Sequence, residues 1–427
     1  MAGPPRPPPP HPMTSLPPLQ RLRVSFSAQH VENVADTVRS QVEAVAQFPR
    51  GARLAVAVGS RGLANLATIV RTTVGVLQAR GASVFIIPAM GSHGGATAEG
   101  QRDVLAGYGI TEAAMGCPIL ATMDVVELPA SGLEHPLFLD RHAAAADGIV
   151  LINRIKPHTD YHGPYESGLV KMAVIGLGKQ AAALAVHRFG VRGLRDLIPL
   201  AAHHLLASGR ILFGLAVVEN AYDATAVLEA IPAARILDRE PALLELARRH
   251  LPRLPLDEID VLVVDRLGKN ISGTGLDTNI IGRLRIPGEP EPASPRIKSI
   301  VVTDLTDESH GNAVGTGLAD VVTARLASKI DRHATYVNAA TAGFIERAKL
   351  PLAAPTDAAA LELALRASAC LDFSTARILR IRDTLHLGEI LASPAAVAAL
   401  RDHPDVTVLG PPAPAFDDTG SLRPFAG

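Results

Sequence analysis

Residues 53–65 read RLAVAVGSRGLAN, a short apolar run that ends in a glycine-rich polar turn. The run has the length of a buried strand, and an alanine- and leucine-rich helical pattern follows it. The same alternation recurs at SVFIIPA, GIVLIN, ILFGLAVVE, DVLVVD, SIVVTD and ATYVN. Alternating buried strands and helices are typical of parallel sheets covered by helices. The sequence therefore predicts an α/β fold with mainly parallel sheets.

The length of the chain predicts more than one domain. A chain of 427 residues is too long for one hydrophobic core, so we expect two α/β domains with an active-site cleft between them. The proline-spaced segment HLPRLPLDEID, residues 250–260, is the predicted linker, with the boundary near Pro255. We predict a disordered proline-rich arm over 1–20, an N-terminal domain over 21–255 and a C-terminal domain over 256–427 that closes the cleft.

Composition narrows the class of partner. Charged residues make up 19% of the chain and the formal net charge is -1, which argues against nucleic-acid binding. The two cysteines, Cys117 and Cys370, are too few for a disulfide framework or a thiolate-held cluster. The sequence has neither a signal-peptide pattern nor a long apolar span, so we expect a cytoplasmic protein without a membrane partner and with a small-molecule ligand.

Unusual polar residues follow the predicted strands. They occur in GSRGLAN, GSHGGAT, NRIKPHTDYHGPYESG, RLGKNISGTGLDTN and LTDESHGN. Ligands of open α/β sheets bind at the carboxyl ends of the strands, so these turns predict one shared site. Polar turns are common in any α/β protein, but ordinary turns do not need so many histidines, lysines and arginines.

The first two turns contain an arginine and a histidine. Ser60 is expected to cap the next helix, and Arg61 in the first helical turn opposes the helix dipole unless it binds an anion. We therefore predict that Arg61 binds a phosphate or a carboxylate, although a solvated surface arginine is the alternative. His93 lies between small residues, where Gly94 and Gly95 let a ligand approach the backbone. Its imidazole is a candidate proton carrier at neutral pH.

The segment KPHTDYHGP contains two further histidines. His158 and His162 are four residues apart, with Asp160 between them as a possible orienting carboxylate. On a helix this spacing could bind zinc, but the neighbouring prolines and glycine indicate a loop. Either histidine is a candidate acid/base group.

The stretch ESGLVKMAVIGLGKQAAALAVHRFG, residues 166–190, allows two interpretations. GLGKQA fits the G-x-G-x-x-A form of the dinucleotide fingerprint, which predicts a nucleotide-binding turn after the apolar MAVI. Alternatively, burial of Lys171 in its apolar run would favour a neutral, nucleophilic amine, unless the lysine only extends from a strand end to solvent. His187 follows on the helical AAALAVHRF pattern, where small neighbours leave room for a bulky group.

Taken together, these residues resemble the lactate racemase family, whose members use a nickel-pincer nucleotide. The resemblance covers most of the chain, from about Arg53 to near Gly388, and is most specific in GSHGGAT and in NRIKPHTDYHGPYESGLVKMAVIGLGK. It implies that Lys171 forms a thioamide with the cofactor and that His187 binds the nickel. It also implies that His93 and His158 are the acid/base pair, with His162 as the rival of His158.

The resemblance implies a racemase or epimerase of a 2-hydroxy acid, either lactate-like or a sugar acid, that works by reversible hydride transfer. It also implies that cofactor-synthesis proteins load the chain, and that second-domain residues close over the pocket, namely Lys269, Asn270, Asp277, Asn279, Arg283, His310 and Asn312. Departures from the best-known members at GSRGLAN and ESGLVKM indicate a divergent branch. The alternatives are an NAD-dependent oxidoreductase that uses GLGKQA and a non-catalytic nickel- or nucleotide-binding protein.

Overall fold

The computed structural model describes residues 16–60 and 62–425. The strands are β1 Gln20–Val24, β2 Arg53–Val58, β3 Ser83–Pro88, β4 Val125–Leu128, β5 Leu137–Asp140, β6 Gly148–Arg154, β7 Ile211–Glu219, β8 Thr225–Pro232, β9 Glu258–Leu267, β10 Arg296–Leu305, β11 Val321–Thr323, β12 Leu352–Ala354, β13 Ile378–Ile381, β14 Glu389–Ala392 and β15 Val406–Val408. The α-helices are α1 Val34–Val45, α2 Leu66–Ala79, α3 Ala98–Gly107, α4 Glu112–Met115, α5 Arg141–Ala144, α6 Leu169–Lys171, α7 Lys179–His187, α8 Gly190–Arg192, α9 Ile198–Ala207, α10 Ile236–His250, α11 Thr278–Ile281, α12 Ala324–Ser328, α13 Arg332–Ala342, α14 Asp357–Ala367 and α15 Pro394–Ala399.

The unit Phe26–Pro252 contains a five-stranded sheet in the order β3-β2-β6-β7-β8. The first four strands are parallel, and β8 is antiparallel to β7. Apolar side chains of β2, including Leu54 and Val56, are fully buried in one core with residues of α1 and α2 such as Val42 and Val70. The sheet therefore has a helix-covered face, as its near-continuous apolar strands require.

The second unit consists of Arg253–Gly427 together with the chain up to Ser25. Its eight-stranded sheet has the order β12-β11-β10-β9-β13-β14-β1-β15. The strands from β12 to β13 are parallel, whereas β14, β1 and β15 pair antiparallel. The predicted α/β fold with mainly parallel sheets is thus confirmed. The active-site cleft between two domains stays a prediction.

Four details of the sequence prediction differ from the structure. The division falls between Pro252 and Arg253, and β1 pairs with β14 and β15 instead of joining the N-terminal domain. Leu19, at the end of the predicted disordered arm, is buried and hydrogen-bonded to Ala413, whereas residues 1–15 of that arm lie outside the described residues. ATYVN is helical and belongs to α13, because Asp331 caps the helix by accepting from the N–H of Ala334.

Within the part of the chain that the structure describes, no single helix is both long and apolar enough to cross a membrane. Two consecutive segments, Leu169–Gly176 and Lys179–His187, are long and apolar enough when taken together. They are bent by 105° at the break between them.

Candidate functional site

The polar turns of the unit Phe26–Pro252 follow strands whose carboxyl ends lie side by side. In the sheet, Val58 at the end of β2 pairs with Pro88 of β3 and with Ile152 of β6. Asn153, the next residue of β6, donates a side-chain hydrogen bond of 2.8 Å to the carbonyl of Gly168, directly before α6. The turns after β2 and β3 and the loop between β6 and α6 therefore begin at one edge of the sheet.

His93 lies in the turn after β3, and its side chain is exposed. Its Nδ1 is hydrogen-bonded to the Oγ of Ser60 in the turn after β2. Gly94 and Gly95 have φ angles of +64° and +65°, in the left-handed region that favours glycine. A Cβ at position 94 would lie 2.6 Å from the backbone nitrogen of Gln101, so a larger residue does not fit. Glycine at position 94 is therefore needed for the turn that brings His93 to Ser60.

The first turn differs from its prediction in one respect. Ser60 does not cap the next helix, because α2 begins only at Leu66, after Asn65. Arg61, the predicted anion-binding residue, lies outside the described residues. Its role stays a prediction.

Lys179 of the GLGKQA segment is fully buried. Its Nζ lies 3.0 Å from Oδ2 of Asp140, and it donates hydrogen bonds to the carbonyl of Pro88 and, at 3.2 Å, to Oε1 of Gln101. Gln101 in turn donates to the carbonyl of His93 at 3.2 Å. Burial lowers the pKa of Lys179, and the charge of Asp140 opposes that change. Lys179 therefore helps, through Gln101, to fix the turn that contains His93.

The GLGKQA segment lacks the structural context of a dinucleotide fingerprint. Residues Leu169–Lys171 form α6, and Met172–Gly176 continue directly as one π-helical turn. Gly176 therefore lies in helical structure, whereas the fingerprint requires a strand directly before its first glycine. A Cβ at Gly178 would lie 2.6 Å from the carbonyl oxygen of Val174, so this glycine allows close packing within the chain.

Glu166 organises the loop between β6 and α6. Its side chain is fully buried and accepts hydrogen bonds from the backbone N–H of His158 and, at 3.2 Å, of Gly163. Arg248 of α10 donates to the same carboxylate at 2.6 Å, and Nδ1 of His162 lies 3.3 Å from it. A buried carboxylate is costly unless donors surround it, so these contacts fix the conformation of the loop.

The side chains of His158 and Lys171 are in direct contact. Nζ of Lys171 lies 2.5 Å from Nε2 of His158, and Nδ1 of His158 accepts a hydrogen bond of 3.0 Å from the N–H of Asp160. A neutral imidazole that accepts at Nδ1 carries its proton at Nε2, so Nε2–H donates to Lys171. Only an uncharged amine can accept that bond. The contact therefore favours the uncharged, nucleophilic form of the Lys171 amine.

His187 lies in the last turn of α7 and is partly buried. Burial lowers its pKa, Lys171 lowers it further whenever its amine is charged, and Asp160 acts in the opposite direction. The lowered pKa favours the neutral imidazole, which is the form that binds metals. Within residues 16–60 and 62–425, no group of three or more His, Cys, Asp and Glu side chains is arranged to hold a metal ion.

The residues predicted to close the cleft belong to the unit that contains Arg253–Gly427. Nζ of Lys269 and Nδ2 of Asn312 both donate to Oδ1 of Asn338, at 2.8 and 3.1 Å. Arg283 is nearly buried and donates to Asp320 at 2.7 Å, as a structural ion pair does. Asn270 and His310 lie in turns, where Asn270 accepts from Thr306 and His310 has a φ angle of +46°. Asp277 caps α11 by accepting a hydrogen bond from the backbone N–H of Asn279.

Comparison with known proteins reveals a similar solved structure but no similar sequence. No protein-family model and no curated protein sequence matches the chain. Among solved structures, the lactate racemase apoprotein from Thermoanaerobacterium thermosaccharolyticum is similar, with a TM-score of 0.51 over 85% of this chain and 94% of that chain. The two proteins share a fold. At 14% sequence identity, the likeness concerns the α/β architecture and not individual residues.

Two acidic residues near these side chains were not predicted from the sequence. Glu166 lies directly before Ser167 and Gly168, and its position in a loop with two histidines is a signal that could have been used. Glu240 is buried in α10, and one of its oxygens accepts from the N–H of Val170 at 3.0 Å. No local pattern in α10 indicates that contact, because the two residues are far apart in sequence.

Proposed function

We propose that the protein is an isomerase that racemises or epimerises a 2-hydroxy acid with a nickel-pincer nucleotide attached to Lys171. The observation that carries the proposal is the contact between Nζ of Lys171 and Nε2 of His158. This contact favours the uncharged amine that a covalent attachment needs. The shared fold with a lactate racemase supports the same class of reaction.

The side chains of this region fit such a cofactor. Lys171 offers an amine for the thioamide bond, and His187 offers a neutral imidazole, a ligand that suits square-planar nickel(II). When bound, the cofactor supplies a hydride acceptor together with the sulfur and carbon donors for the metal. Loading requires cofactor-synthesis proteins as partners.

His158 is proposed as one acid/base residue. Once the nitrogen of Lys171 is part of a thioamide, it no longer has a basic lone pair, so Nε2 of His158 loses its acceptor and is available to the substrate hydroxyl. Nε2 can act as a base once Nδ1 releases the N–H of Asp160 and takes the ring proton instead, and Oδ2 of Asp160, 3.8 Å from Nδ1, can stabilise the proton there. His162 is the weaker candidate, because its Nδ1 lies 3.3 Å from the buried carboxylate of Glu166 and so belongs to the contacts that fix the loop.

His93 is proposed as the second acid/base residue, acting on the opposite face of the substrate. It reaches the same sheet edge from a different strand, and its side chain is exposed. Arg61 is proposed to bind an anion, either the substrate carboxylate or a cofactor phosphate.

Intact-mass spectrometry tests the attachment. Protein made in a host that synthesises the cofactor is expected to carry an adduct that maps to Lys171 and is absent from Lys171→Arg. Lys349→Arg, on an exposed side chain paired with Glu346, is the matched control and should keep the adduct. An unmodified mass despite bound nickel would refute the covalent attachment.

A panel of 2-hydroxy acids tests the reaction. For at least one member, we expect the wild-type protein to release deuterium from the α-carbon and to change the chirality there. Lys171→Arg should cause neither change. Bound nickel without either change would favour a non-catalytic binding protein. Exchangeable NAD, no nickel and normal activity of Lys171→Ala would favour the NAD-dependent oxidoreductase.

A further inference from the structure

The short helix that carries Lys171 begins without a capping side chain of its own. Gly168 precedes α6 and offers no side-chain hydrogen bond to the first turn. The carbonyl of Gly168 is held by Nδ2 of Asn153 at 2.8 Å, but the free N–H groups at the start of a helix still need acceptors. In this buried surrounding an unmatched N–H group would be costly.

Glu240, from α10, supplies the missing acceptor. Its side chain is fully buried, and Oε2 accepts a hydrogen bond of 3.0 Å from the N–H of Val170. Oε1 occupies the space beside Gly168, where a Cβ would overlap it, and has no hydrogen-bond partner among the described residues. A carboxyl group 72 positions along the chain (240 − 168) thus takes the place that an aspartate or serine occupies at an ordinary helix start.

We propose that Glu240 is a positioning residue for Lys171: as a distant cap of α6, it fixes the helix start so that Nζ of Lys171 meets Nε2 of His158. Lys171 is the residue directly after Val170, so the capped N–H lies one peptide from the reactive side chain. The role of that amine in attaching a cofactor rests on the proposed function, whereas its placement rests on the hydrogen bonds described above. Glycine at position 168 is part of the arrangement, because it leaves room for the carboxyl group.

Site-resolved acylation of the apoprotein by an N-hydroxysuccinimide ester of acetic acid measures the placement directly. The rate at Lys171 is divided by the rate at exposed Lys349, which serves as an internal reference. In Glu240→Ala this ratio is expected to fall about tenfold, because Lys171 moves away from His158 and is then protonated like an ordinary lysine. Glu240→Gln is expected to retain most of the ratio, since its amide oxygen can accept from Val170.

A relocation of the carboxyl group separates positioning from packing. Gly168 has φ −174° and ψ −162°, a conformation that any residue adopts, so Gly168→Asp is possible once the space beside it is empty. The double variant Gly168→Asp/Glu240→Ala is expected to recover the ratio and the slow hydrogen exchange of the Val170 N–H. Gly168→Asp alone should lower the ratio, because its Cβ overlaps Glu240.

An unchanged ratio in Glu240→Ala would overturn the proposal. So would a reduced ratio in Glu240→Ala that neither the relocated carboxyl group nor glutamine restores, because Glu240 would then act only as core packing. The assay needs no cofactor, so a protein that shows this pattern but carries no adduct on Lys171 would refute the proposed function and leave the positioning role intact.

Discussion

Replacing Glu240 by glutamine should change how the stability of the protein depends on pH. Burial raises the pKa of Glu240 from 4.5 to about 7, and the hydrogen bonds from the N–H groups of Val170 and Leu169 only partly oppose that change. Between these two values, the folded chain keeps a proton that the unfolded chain releases. The Glu240 contribution to the free energy of unfolding is therefore fully present below pH 4.5 and is lost as pH rises to about 7.

The size of the effect follows from the two pKa values. Their difference is 7 − 4.5, or about 2.5 pH units, and each unit is worth about 1.4 kcal/mol of free energy of unfolding. The wild-type protein should therefore lose about 3 kcal/mol relative to Glu240→Gln over the whole window, most of it between pH 5 and 7. Glutamine does not titrate, and its amide oxygen can still accept from the N–H of Val170.

Urea unfolding of both proteins at pH 5, 6, 7 and 8 measures this difference. Glu245→Gln, at an exposed position of the same helix, is the matched control for loss of a carboxylate, and its difference from wild type should stay small. The expected result is that Glu240→Gln gains stability over wild type as pH rises and that the gain levels off above pH 7. A difference that is constant with pH, or that shrinks as pH rises, would show that the carboxyl group does not titrate in this window.

Three further outcomes can be measured on the same protein. Nickel content separates ligand from acid–base residues: His187→Ala should lose the metal, whereas His93→Ala and His158→Ala should keep it while turnover falls about 10²–10⁴-fold. His162→Ala should retain most of the turnover, and an inactive His162→Ala beside an active His158→Ala would transfer the acid/base role to His162. Burial raises the pKa of Cys117 to about 11, so iodoacetamide at pH 8 should leave it unmodified in the native protein and label it in urea; rapid labelling of native protein would contradict that burial.

The parallel part of the fold could be predicted from the sequence because each buried strand is a continuous apolar run. RLAVAV and GIVLIN became β2 and β6, and both are buried between layers. The antiparallel strands could not be predicted equally well, because they are short or lack such a run. β1 and β14, for example, pair through Leu22 and Ile390 although 368 positions along the chain separate these residues (390 − 22), and no local pattern specifies that partner.

The candidate site was predictable where the residue type itself suggests chemistry. A histidine in a glycine turn and a lysine in an apolar run are unusual in themselves, so the sequence alone predicts roles for His93 and Lys171. The contacts that determine the protonation and the position of the site residues could not be predicted. The tautomer of His158 depends on a backbone N–H of its own loop, and the start of α6 depends on Glu240, which reads locally as one of several charges on an amphipathic helix.

The GLGKQA segment shows why a short motif needs its structural context. Glycine permits close approach of the backbone to any oxygen, and here the oxygens belong to the chain itself: a Cβ at Gly176 would lie 2.8 Å from the carbonyl of Ala89, and one at Gly178 would lie 2.6 Å from that of Val174. A phosphate would impose the same requirement, so the glycines alone do not distinguish the two cases. The preceding element does, and the apolar MAVI is too short for its periodicity to separate a helix from a strand. Because MAVI is helical, Lys171 lies on a helical turn against His158 and not at the end of a strand facing solvent. The helical conformation of MAVI therefore argues against a nucleotide-binding turn and also positions the amine of Lys171 beside His158.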